Sequence, residues 1–178
     1  MRRLCRALVF VALAGIAAAG CNAFDDGVRD SPGAPELPLS PTPSSEEAPN
    51  LEADIESQIN GIREDHALVP LNRHEGLGAI ARTYSCRMGA EDFFAHESPE
   101  GETVADRVEE AGIAVQVVGE NLAWLSGIAE PATSAVEGWM ESEGHRENIL
   151  MEEYRETGVG ACLYDGTWYF TQIFAVLR

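Results

Sequence analysis

Trp139-Met140-Glu141-Ser142-Glu143-Gly144-His145-Arg146-Glu147-Asn148-Ile149-Leu150 places a polar segment between two apolar anchors. Ahead of it, Ala132, Ala135, Val136, Trp139 and Met140 fall on one face of a helix, and Pro131 suits that helix's first turn. After it, Ile149 and Leu150 anchor the chain again. The tip around His145 is thereby free to face a pocket while its neighbours pack. Phe93-Phe94-Ala95-His96-Glu97-Ser98-Pro99 and Gly119-Glu120-Asn121-Leu122-Ala123, followed by Trp124, read the same way: polar residues in Gly- or Pro-flanked turns beside large apolar ones.

Outward from these segments, Leu51, Ile55, Ile59 and Ile62 recur at helical spacing until Pro70. Leu77, Ile80, Ala81, Tyr84 and Met88 do so over Glu75 to Ala90. Thr103-Val104-Ala105-Asp106 opens a third, short helix with a capping-box pattern, and Gly112 ends it. With the helix of Pro131 this predicts four. Thr157 to Tyr164 and Thr167 to Leu177 are rich in β-branched and aromatic residues, and the Asp165-Gly166 between them favours the positive φ of a tight hairpin. A third strand is expected over Ile113 to Val118. Helices first and antiparallel strands later predict an α+β fold, a three-layer α/β/α sandwich with a small antiparallel sheet.

Three motifs in this order resemble the CAP superfamily of cysteine-rich secretory, antigen-five and pathogenesis-related proteins. They are the Phe-x-His-x-Ser-Pro turn with Gly101 and Arg107 after it, Gly119-Glu120-Asn121, and the tryptophan segment above. Asn60, Arg63, Met88 and Gly158-Val159-Gly160 fit as well, so that the resemblance covers nearly all of residues 51 to 178. It implies a cleft of His96, Glu120 and His145, with Asn121 at its side. The family's second glutamate falls three residues after the tryptophan, where this chain has Ser142. Glu141, next to it, is the candidate to turn inward instead.

The trio admits two readings. Two neutral imidazoles and a carboxylate, His96, His145 and Glu120, are a ligand set for a zinc-like divalent cation with one open position. Alternatively, Glu120 accepts hydrogen bonds and pins the segments together, with no ion and no required cofactor. No catalytic residue stands out. His74-Glu75 starts like a zinc-protease helix but meets Gly78 where the second histidine belongs, and neither Ser98 nor Ser142 sits in a Gly-x-Ser-x-Gly elbow. His66 and His74 read as solvated, and Arg146 and Asn148 as braces for the segment after His145.

The N-terminus sets the compartment. Arg2, Arg3 and Arg6 precede an apolar run, Ala7 to Ala19, too short to span a membrane, and Ala18-Ala19-Gly20-Cys21 resembles a lipobox. Residues 1–20 are thus expected to be a signal peptide and Cys21 a lipidated N-terminus; cleavage after Ala17-Ala18-Ala19 is the alternative. Residues 21–50, with six prolines from Pro32 to Pro49, form a stiff linker without a core, and 51–178 the domain. The loss of three arginines takes the formal net charge from −18 to −21, which makes nucleic acid an improbable partner and leaves the lipid on Cys21 to hold the membrane. In an oxidising compartment Cys86 and Cys162 are expected to form a disulfide; two buried thiols are the alternative.

The expectation for function is an extracytoplasmic, lipid-anchored, non-catalytic module binding a small apolar ligand or an envelope partner through a cleft able to take a divalent cation. Eukaryotic members of the resembled family are associated with sterol and fatty-acid binding. A metal-dependent envelope hydrolase and a purely structural protein are the alternatives.

Overall fold

The computed structural model describes residues 45–178, so the expectations for the signal peptide, Cys21 and most of the linker fall outside the described residues. A short 3-10 turn, Ser45–Glu47, leads into α1 (Ala48–Asp65). There follow β1 (Asn72–Arg73), α2 (Glu75–Ala90), α3 (Val104–Glu110), β2 (Val115–Ser126), α4 (Pro131–Glu141), α5 (Glu143–Leu150), β3 (Glu156–Tyr164) and β4 (Thr167–Leu177). The strands lie in the order β1-β3-β4-β2.

Apolar residues leave this sheet on both sides. Val159, Ala161, Trp168, Phe170 and Phe174 meet Ile55 and Ile59 of α1, Trp139 of α4 and Ile149 of α5. On the other side Ile173 and Ala175 meet Leu77 and Ala81 of α2 and Val108 of α3. The three-layer α+β sandwich follows. Strand β3 touches α2 backbone to backbone: a Cβ on Gly158 or Gly160 would overlap the main chain of Leu77, Gly78 or Arg82. The disulfide Cys86–Cys162, with Cα atoms 5.0 Å apart, fastens the same two elements.

Several sequence expectations shift. The linker is expected to reach residue 50, but α1 begins at Ala48, which is 8% exposed; Pro49 is no obstacle in a first turn, where its absent N–H has no helical acceptor. The described residues form five α-helices, because the chain breaks at extended Ser142 and resumes as α5, putting His145 on a helix and not in a turn. Strand β2 does not stop at Val118. It runs through Gly119-Glu120-Asn121, since β4 offers partners for the whole stretch, Glu120 opposite Ile173 and Asn121 opposite Gln172. The sheet is not wholly antiparallel either, for two-residue β1 pairs in parallel with β3.

Two buried charges fix the layers around the site. Arg63 is fully buried and donates to the carbonyls of Val69, Ile149 and Met151 at 3.0, 2.7 and 2.9 Å, which ties α1 to the end of α5. Burial, and then Arg155, lower its pKa. Glu52 is also fully buried; it accepts two bonds from Arg82 at 2.7 and 2.6 Å and the Ala161 N–H at 3.0 Å, capping β3 beyond its short pairing with β1.

Candidate functional site

Glu120 sits on the edge strand β2 with its side chain toward α2 and α3, and is 6% exposed. A carboxylate so placed needs donors. His96 Nδ1 lies 2.8 Å from its Oε1, and Arg107 Nη2 donates to Oε2 at 2.6 Å. Arg107 is itself buried on α3, donates through Nη1 to the Glu102 carbonyl at 3.2 Å, and holds its guanidinium carbon 3.4 Å above the centre of the Tyr84 ring. That is a cation–π contact out of water, the setting in which it is strongest.

His96 belongs to the α2–α3 connection. The Tyr84 hydroxyl donates to the Ala95 carbonyl at 2.7 Å just before it. Burial first, and then Glu120, push the Tyr84 pKa up to about 12 against the pull of Arg107, so the phenol stays a donor. Just after His96, Ser98 is occupied in a turn: its Oγ donates to Glu100 at 3.0 Å and accepts the Glu102 N–H at 3.2 Å, while Gly101 takes φ +89°. Its hydroxyl is engaged by that turn, so the chain offers no activated serine there.

His145 arrives from the opposite layer. Half-buried on α5, it places its ring centre 6.4 Å from that of His96. Burial, and secondarily His96, lower its pKa and favour the neutral ring. Asn121 sits behind the cleft and is fully buried; it donates to the His145 carbonyl at 3.2 Å and accepts from Asn148 at 2.9 Å. Asn148 also donates to the Glu120 carbonyl at 3.2 Å, and Trp139 Nε1 to the Leu122 carbonyl at 2.9 Å. Side chains of α4 and α5 thus satisfy the open edge of β2. Arg146 braces α5 against α4 through the Met140 carbonyl at 2.8 Å.

The structure therefore brings His96, Glu120 and His145 together, but not as the expected ligand set. Both oxygens of Glu120 are engaged, and among the described residues no group of three or more His, Cys, Asp or Glu side chains is placed to hold a metal ion. Glu141 ends α4 and is exposed to solvent. His74 is not simply solvated, since its Nδ1 caps α2 by accepting the Leu77 N–H at 3.2 Å. The residue missed from the sequence is Arg107. It was visible only as part of a motif, and its signal was an arginine among the apolar positions of a short amphipathic helix.

A three-layer α+β domain with paired histidines over a buried glutamate at the sheet edge defines a class, and the comparisons name it. The chain belongs to the cysteine-rich secretory protein (CAP) family, whose family model matches residues 57–174. It is 35% identical over 135 residues to the Bacillus subtilis (strain 168) membrane protein YlbC, covering 74% of this chain and 37% of that one. An extracellular protein containing an SCP domain from Bacillus anthracis str. Ames superposes with a TM-score of 0.67 at 31% identity, over 79% of this chain and 45% of that one. An outer surface protein from Borrelia burgdorferi shares the fold, with a TM-score of 0.66 at 22% identity over 72% of this chain and 94% of that one. The chain spans under half the length of the two Bacillus relatives. Among the described residues no helix is long and apolar enough to cross a membrane.

Proposed function

We propose that this protein is an extracytoplasmic CAP module, anchored by a lipid on Cys21, that binds an envelope partner or a small apolar ligand at the mouth formed by His96 and His145 without transforming it. The observation that carries this reading is the state of Glu120. A general base needs a free carboxylate edge, and this one is committed to His96 and Arg107. Ser98, two residues after His96, has its hydroxyl engaged in a turn and not held by a base. His96, by contrast, is 58% exposed and turns toward solvent a ring that Glu120 orients. Two imidazoles are what remains for a divalent cation, so weak accessory cation binding is the most the mouth offers, and no step is assigned to it.

The reading is tested by assaying the purified full chain against peptide, ester and glycan substrates, with and without a chelator. No turnover is expected under either condition. Turnover abolished by the chelator and by His96→Ala would replace it with a metal-dependent hydrolase.

A further inference from the structure

The sheet face that carries Glu120 continues past the histidine mouth. Side chains alternate along a strand, so Glu120, Leu122 and Trp124 of β2 share one side, which β4 extends with Tyr169 opposite Trp124 and β3 with Cys162 opposite Tyr169. Helix α2 covers the β3 end of this face up to its last turn, where a Cβ on Gly89 would stand 2.6 Å from Tyr164 Cβ and 3.1 Å from Tyr169 Cε2. The α2–α3 connection covers β2, with His96 on Glu120 and Phe93 in the cluster of Leu122, Tyr84 and Met88. At Trp124, roughly 13 Å along the strand from Glu120, that cover thins. The indole is 56% exposed, with Tyr164 at 46% and Phe94, next to Phe93, at 43%.

The rim of these rings is acidic. Asp165 follows Tyr164 in the hairpin turn, and Asp92 precedes Phe93. Burial first, and then Asp92 and Tyr164, raise the Tyr169 pKa, so the Asp92 charge is felt at that phenol. Arg87 reaches the patch with its guanidinium carbon 5.9 Å from the Phe93 ring centre, but Glu91, Glu100 and Glu102 all pair with it. Three carboxylates to one guanidinium leave negative charge in excess. An aromatic face and a carboxylate attract the same kind of group, and a guanidinium stacks on the one and pairs with the other. The neighbourhood already does this twice, with Arg87 on Phe93 and Arg107 on Tyr84. A second copy of this chain, with thirty acidic residues against twelve basic, and an anionic bilayer both bring the wrong charge.

We propose that the face of Trp124, Tyr169 and Tyr164, rimmed by Asp92 and Asp165, docks a basic peptide segment of a protein partner, with an arginine side chain on the Trp124 indole. Indole is the best of the aromatic faces for a cation, and this one stands open on the edge strand β2. The surface stands whatever the mouth binds, because Glu120 is held by His96 and Arg107 and not from this end of the strand.

Trp139 and Trp168 are 2% and 3% exposed, so a ligand that changes the indole fluorescence of the full chain from outside reports on Trp124. The probe is the peptide Arg-Gly-Arg-Gly-Arg-Gly-Arg, followed by fluorescence and by calorimetry beside a counterpart with glutamine for each arginine. The expected result is saturable binding that weakens about tenfold between about 20 and about 150 mM salt and is absent for the glutamine peptide. Trp124→Ala should weaken it about tenfold or more, with Trp124→Phe in between. Asp92→Asn with Asp165→Asn, which suits the positive φ of both positions, should weaken it about threefold, and His96→Ala with His145→Ala should leave it unchanged. No saturable binding, or equal binding by wild type and Trp124→Ala, refutes the surface. Equal binding of the glutamine peptide, or tighter binding of a neutral glycan oligomer, refutes the ligand class, and loss in the paired alanines would move the site to the mouth.

Discussion

Arg107 and Glu120 have side chains 7% and 2% exposed, so neither charge can fall back on water if the other is removed. Arg107→Gln should therefore cost about 3–5 kcal/mol in denaturant-unfolding free energy, whereas Arg107→Met combined with Glu120→Leu should recover most of that loss. A double variant as unstable as the single one would contradict the ion pair's role. His145 carries a pH signature. Its pKa is lowered in the fold, so as pH falls below the ordinary value of about 6.5 the unfolded chain takes a proton first and stability drops until the folded ring titrates. Above that window the histidine contributes no slope. Subtracting the stability profile of His145→Gln from that of the wild type should leave a loss confined to mildly acid pH, and identical profiles would contradict it. At this scale the sequence was readable where polar residues stood in apolar surroundings, as at His96, Glu120 and His145. It was silent on the role of Arg107, which depends on a Tyr84 ring and a β2 carboxylate that meet it only in three dimensions.

Strand β2 and helix α5 show why element boundaries were harder to read. Gly119-Glu120-Asn121 has turn composition, yet it is a strand because β4 pairs with it on one side, while on the other Asn148 satisfies the Glu120 carbonyl and Trp139 that of Leu122 just after it. A side chain at Gly119 would overlap the Tyr154 hydroxyl, so the glycine there serves close packing and not a turn. Helix α2 and strand β4 were legible to the residue and β3 to within one, because a strong apolar stripe and an Asp-Gly turn, with Asp165 at φ +44° and Gly166 at φ +73°, are local signals. The disulfide between α2 and β3 closes a sequence separation of 76 residues. Chain entropy sets its contribution at no more than about 4.5 kcal/mol. Unreduced folded protein should take up no alkylating agent at Cys86 or Cys162, and reduction should lower the unfolding free energy by about 2–4 kcal/mol. Two alkylated thiols before reduction would contradict the bond.

All twelve basic residues of the whole chain are arginines, against thirty acidic ones. The two most buried of them among the described residues, Arg63 and Arg107, are spent on joining elements, α1 to the end of α5 by carbonyls in one case and α3 to β2 by Glu120 in the other. What is left is a strongly acidic composition that an anionic bilayer repels, so the proposed membrane attachment falls to a lipid on Cys21. Cys21→Ser should move the protein from the membrane fraction to the medium or the soluble envelope fraction; retention in the membrane would contradict lipid anchoring. The same variant, freed of its anchor, permits the most direct test of the binding mouth. Soluble Cys21→Ser chain is mixed with envelopes of its own cell, sedimented, and compared with a chain that also carries His96→Ala and His145→Ala. Saturable co-sedimentation reduced about tenfold or more by the paired alanines is the predicted result, and equal co-sedimentation of the two chains would contradict a binding site at His96 and His145.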